Sequence, residues 1–160
     1  MKPAVSISKI TPPSVPHILD RPRLIERLIQ DQNKKLILIL GQAAQGKSTL
    51  AVSYVKASQT PSAWINLGPE DSDPVNFFYA LVHSIQRAVK DTDFSPMLLY
   101  PSMTEGPRDE IPLYREWASV LLALISMPLQ VIFDGLDRLL ADAPTYRLLQ
   151  VLVEEAPPLW

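Results

Sequence analysis

Gly41-Gln42-Ala43-Ala44-Gln45-Gly46-Lys47-Ser48 follows the spacing G-x-x-x-x-G-K-[ST], the pattern of a loop that cradles phosphate. Each residue type in it has a chemical reason. Gly41 and Gly46 reach backbone angles closed to other residues, so the chain can wrap closely round an oxyanion. The amides from Ala43 to Ser48 are then expected to face inward at the positive end of the helix that follows. Lys47 would extend over the outer phosphates, and the Ser48 hydroxyl suits Mg²⁺, a hard cation that takes oxygen ligands. One lysine–phosphate contact at ~4 Å and an effective dielectric near 20 is of order 4 kcal/mol before desolvation. The candidate nucleotide-binding residues are therefore Gly41, Gln42, Ala43, Ala44, Gln45, Gly46, Lys47, Ser48 and Thr49. The alternative is an ordinary strand–turn–helix with a surface lysine.

A second half of such a site lies far downstream. Leu129-Gln130-Val131-Ile132-Phe133-Asp134 is an apolar run ending in acid, the Walker B pattern. Strand ends on one edge of a parallel sheet converge where ligands bind. Asp134 is thus expected to hold Mg²⁺, directly or through water, opposite Ser48. Taken alone, Asp134-Gly135 reads equally well as a turn. Asp137 could polarise an attacking water, or cap a helix beginning at Arg138; pattern alone leaves both open. Lys47, Asp134 and Asp137 are the candidate catalytic residues. Hydrolysis there would work by positioning and charge stabilisation, with in-line attack of water on the terminal phosphate.

Several elements must position these groups. Leu36 to Leu40 are five consecutive apolar residues, which predict a strand covered on both faces. The following helix is expected from Lys47 to about Ser58, with Leu50, Ala51, Tyr54 and Val55 inward. Asp20 could cap an earlier helix running to Gln30, with Pro22 in its first turn and a stripe of Leu24, Ile25, Leu28 and Ile29. Arg21, Arg23 and Arg27 fall on its other faces, where arginines are usually solvated. A second strand is expected over 63–67, and a helix from Pro74 to about Val89 capped by Asp73. Residues 90–110 carry Pro96, Pro101, Gly106 and Pro107 without a period, and predict a long loop. Helices over 111–126 and 144–155 flank the third strand, 129–137. His83 lies off its helix's apolar stripe and reads as a surface residue.

Composition narrows the class. A length of 160 residues favours one domain. A formal charge of −2 without a basic run argues against direct nucleic-acid contact. The lack of cysteine excludes disulfides and thiolate metal sites and fits a reducing compartment. No apolar run reaches membrane-spanning length and no signal core follows Met1, so a cytoplasmic protein without membrane contact is expected.

Ile7-Ser8-Lys9-Ile10-Thr11-Pro12-Pro13, Asp20-Arg21-Pro22-Arg23-Leu24, the phosphate loop, Trp64-Ile65-Asn66-Leu67 and Asp71-Ser72-Asp73-Pro74 occur in an order that resembles one family. The chain is similar to the N-terminal ATPase region of MalT-type regulators, members of the STAND class of signal-transducing P-loop ATPases. The resemblance implies an α/β fold: a P-loop NTPase three-layer sandwich with a parallel sheet, with 1–19 an extended leader and 20–160 a partial domain. It implies ATP and Mg²⁺ as cofactors and ATP as a switch ligand, self-association when ATP is bound, and slow hydrolysis as the reset. It also implies that Arg21, at the family's entry motif, lines the nucleotide pocket. Two departures stand out. The usual acidic pair after the Walker B strand is Asp134-Gly135 here, closer to the Asp-Gly-Leu-Asp of the related NACHT group, with Arg138 where a further acid commonly follows. The chain also stops at Trp160, where the family's next core strand and its phosphate-sensing arginine begin. That strand lies between the P-loop and Walker B strands, so a fragment is expected to have a gap there or to pair the flanking strands directly. A small P-loop kinase with 90–110 as its lid is the alternative, although that loop offers only Arg108 to clamp a phosphoryl group. A third reading is an interaction domain with a vestigial pocket.

Overall fold

A computed structural model describes residues 4–16, 21–103 and 109–157. Its centre is a small parallel sheet of β1 (Ser62–Asn66) and β2 (Gln130–Asp134). Their register runs from Ser62↔Gln130 to Asn66↔Asp134, so Asn66 and Asp134 end the two strands side by side. Side chains alternate across a strand, and that alternation splits the core in two. Ala63 and Ile65 face a large cluster with Phe77, Phe78, Trp117 and Leu148. Trp64 faces the other way, against Ala51 and Val52.

The helices cover those two faces. On the first lie α3 (Pro74–Ala88), α5 (Glu110–Ala123) and α6 (Thr145–Glu155). Helix α3 starts where the sequence indicates: the Asp73 carboxylate accepts from the amides of Val75 and Asn76 at 2.7 and 3.3 Å. The buried Ser84 hydroxyl then donates to the Trp64 carbonyl at 3.0 Å and ties α3 to β1. On the second face lies α2 (Lys47–Ala57), with α1 (Pro22–Gln30) outside it. The fold is thus mixed helix and strand, with helices on both sides of a two-stranded parallel sheet. Among the described residues no helix is long and apolar enough to cross a membrane.

The run 36–40 departs from expectation. It is extended but has no ladder partner among the described residues, and β1 pairs β2 directly. Ile37 and Ile39 pack toward Leu28, Leu50 and Tyr54. Leu36, Leu38 and Leu40 point outward, 53%, 59% and 85% exposed. Burying both faces of a strand needs a covering layer on each side, and here only α1 and α2 supply one. Leu24 is likewise exposed rather than part of the α1 stripe.

Other differences are smaller. The N-terminal segment, expected to be extended, carries a 3-10 turn, Ile7–Ile10, against β1. Part of the expected 90–110 loop is ordered: a 3-10 turn Ser95–Leu99 and the short helix α4 (Tyr100–Met103). Phe94 and Met97 anchor it in the core, a local burial that proline-rich sequence masks. The expected β-run to Asp137 ends at Asp134, because Gly135 turns left-handed (φ +85°) into a 3-10 turn, Leu136–Arg138. Asp20, expected to cap α1, lies outside the described residues, as does Arg108. Arg21 occupies the cap position of α1.

Candidate phosphate site

Helix α2 begins at Lys47 directly after the glycine-bracketed loop, with Gly46 left-handed at φ +76°. That angle suits glycine alone at low cost, and the space does too: a β-carbon on Gly46 would stand 3.3 Å from an Arg21 guanidinium nitrogen. Gly41 does not take the left-handed conformation; Ala44 does, at φ +62°. What Gly41 provides is clearance, since a β-carbon there would meet the Gln45 amide oxygen at 2.7 Å.

The loop is folded on itself. The Lys47 ammonium donates to the carbonyls of Gly41 and Gln42, both at 2.8 Å, and the Gln42 amide donates to the Gln45 side chain at 2.9 Å. An ammonium has three N–H donors, so those two carbonyls leave one for an anion. Ala43 and Ala44 are exposed, with Ser48 and Thr49 in the first turn of α2 behind them.

The two halves of the site meet. The Ser48 hydroxyl donates to the Asp134 carboxylate at 2.9 Å, across 86 positions of sequence. Ser48 is placed by the start of α2, Asp134 by the end of β2, and Trp64 and Ile132 with Ala51 and Val52 hold the helix against the strands. A hydroxyl and a carboxylate at this spacing are the oxygen donors a hard divalent cation takes, with the remaining positions left to water or phosphate. Among the described residues no three acidic or histidine side chains cluster into a protein-only metal cage. Asp137 sits exposed in the 3-10 turn after β2, and no helix begins at Arg138, so the capping alternative fails.

Arg21 lies beside Gly46, and the two share a cavity of about 520 Å³ between α1 and the loop. Its lining mixes the cations Arg21, Arg27 and Lys47 with the apolar Leu24, Leu28, Leu38 and Leu50. The volume is in the range of small-molecule sites.

The chain is 35% identical over 82 residues to the HTH-type transcriptional regulator MalT of Cronobacter sakazakii, and 32% identical over 82 residues to that of Vibrio cholerae. Either match covers 51% of this chain but only 9% of the relative, so the chain spans a small part of the curated proteins it matches. No family model matches it, and no solved structure does. The similarity supports relatedness to MalT over that stretch.

Two features of this edge escaped the sequence reading. One is a strap: the Asn66 side-chain amide donates to the carbonyls of Ser8 and Thr11 at 2.7 and 2.8 Å, and Lys9 pairs with Glu70 and with the fully buried Asp71. Asp71 also accepts from the Gly68 amide at 2.7 Å. The leader thereby grips β1 at the residue in register with Asp134. No local sequence signal pairs Lys9 with Glu70 and Asp71, which lie 61 and 62 positions away. The other is Arg138, whose side chain folds back over Gly135.

Proposed function

We propose that this chain is the ATP-binding switch module of a MalT-like transcriptional regulator of the STAND class, a P-loop NTPase sandwich whose parallel sheet is partly formed here. The observation that carries the reading is the 2.9 Å bond between Ser48 and Asp134. It joins the two motifs whose separate signals are a phosphate loop and a magnesium acid, which a surface lysine and a turn-forming aspartate have no reason to do. The reading also draws on the left-handed Gly46 that opens α2 and on the cavity with its three cations beside the loop.

In this reading Lys47 and the loop amides bind the phosphates, Arg21 closes the site from α1, and Ser48 with Asp134 holds Mg²⁺. The metal would neutralise phosphate charge. Asp137 orients water, and hydrolysis is slow in the full-length cytoplasmic protein, where the nucleotide favours the self-associating form. The described part of 90–110 docks on α3 and α5, away from the loop, so no observation favours the kinase reading.

Isothermal titration with ATP, with and without Mg²⁺, tests this. Wild type should bind Mg-ATP. Lys47→Ala should weaken binding by about tenfold or more, as loss of a charge-assisted phosphate contact implies. Asp134→Asn, which keeps an acceptor for Ser48, should bind ATP without responding to magnesium. No heat from folded wild type, or equal affinity in all three proteins, would overturn the proposal.

A further inference from the structure

Seven ion pairs among the described residues engage Lys9, Arg27, Lys34, Arg115 and Arg147. Arg138 is in none of them, although it stands at the strand ends where Asp134 meets Ser48. Its amide closes the turn by donating to the Gly135 carbonyl at 2.9 Å. That turn brings the side chain back over the strand end: its Cδ and Nε lie 3.1 and 3.2 Å from where a β-carbon of Gly135 would be. The same point is 3.2 Å from the Leu67 carbonyl oxygen, at the end of β1. A β-carbon at position 135 would crowd that path. Gly135 serves twice, through its left-handed angle and through this clearance. The result is an exposed guanidinium, unpaired among the described residues, laid next to the residue that follows Asp134.

From this geometry we propose that Arg138 binds the terminal phosphate of a nucleoside triphosphate, making the site discriminate triphosphate from diphosphate. The proposal rests on the phosphate-site reading above and adds a cation to it from the sheet side. Lys47 reaches the site from the loop and Arg21 from α1. Arg138 stands beyond Asp134, in the turn that follows β2, and the proposal puts the last phosphate within its reach. A guanidinium presents a planar fork that matches two phosphate oxygens, which an ammonium does not.

The test is a pair of affinities, read by direct titration of Mg-ATP and Mg-ADP into folded protein. Wild type should prefer ATP. Arg138→Gln should weaken ATP binding by about tenfold, the loss of one charge-assisted hydrogen-bonding group, and leave ADP within about threefold. Arg138→Lys should recover charge but not the fork, and fall between the two. Lys47→Ala provides the separation from the underlying reading, because it should weaken both nucleotides together. An unchanged ATP-to-ADP ratio in Arg138→Gln, with wild type binding normally, overturns this inference alone. Failure of wild type to bind either nucleotide overturns both.

Discussion

The two faces of the sheet are built to different standards. On the α3, α5 and α6 side, Phe77, Phe78, Ile65, Leu121 and Leu148 are wholly buried. Phe78 and Tyr114 both pack their rings on Trp117, with centroids 5.0 and 5.7 Å away. On the α1 and α2 side Trp64 and Val52 are well covered, but Leu28, Leu50 and Tyr54 each keep 8–9% of their surface, and one face of 36–40 is bare. The candidate site lies on the second side: Asp134, two residues on from Ile132, shares its face and meets Ser48 at the start of α2. One half is a scaffold. The other is held by fewer contacts, and low contact density is where local opening concentrates. A ligand bound there would oppose that local opening.

The largest expected effect breaks the scaffold. Phe78→Ala should cost about 3–5 kcal/mol by denaturant titration, the range for removing a buried aromatic ring. Leu28→Ala should fall near the bottom of the leucine range, about 2 kcal/mol, because its surroundings can relax into solvent. Equal losses would mean that the two halves are equally packed. Next comes the strap. Lys9→Met leaves Asp71 buried, charged and without its cation, and should cost about 3 kcal/mol, the scale of a buried pair deprived of one partner.

The strap also has a pH signature. Burial alone would lower the Lys9 pKa, but hydrogen bonds and charge from Asp71 and Glu70 outweigh it and hold it above the ordinary lysine value of 10.5. The protonated amine therefore contributes stability that is fully present below that value and lost as pH rises through the higher folded pKa. Tyr114, pushed up to about 12 by burial and then by the Glu110 charge, acts in the same direction: it ionises in the unfolded chain first. Glu70, held low chiefly by its hydrogen bond from Lys9, gives the opposite limb, losing its contribution as pH falls below the ordinary 4.5. Melting temperatures across pH should show both limbs. In Lys9→Met the acid limb should flatten, while the Tyr114 part of the alkaline limb persists.

The sequence carried the local chemistry well and the long-range pairing poorly. Asp73-Pro74 announced α3 by cap and first-turn proline, and Gly46-Lys47 announced α2, because those signals act within one helical turn. The meeting of Ser48 with Asp134 was legible too, since each motif carries its own spacing. Arg21 lies beside Gly46 of the loop. The strap, the docked turn at 95–99 and the reach of Arg138 were not legible, because each depends on what a distant segment brings alongside.

The segment 36–40 is the clearest case, and it gives the smallest and sharpest expected effect. Five apolar residues in a row read as a strand buried on both faces, which would make Leu38→Thr a core substitution costing about 2 kcal/mol or more. The structure puts Leu38 at 59% and Leu40 at 85% exposure, with no ladder on either side among the described residues. On that footing Leu38→Thr or Leu40→Thr should shift stability by no more than about 0.5 kcal/mol, while Ile37→Ala and Ile39→Ala, whose side chains face α1 and α2, cost more. Hydrogen exchange adds a second view of the same segment: amides of 36–40 should exchange far faster than those of β1, whose backbone is paired with β2. Protected amides at 37–40, or a core-sized loss at Leu38, would mean that another strand lies against this segment in solution.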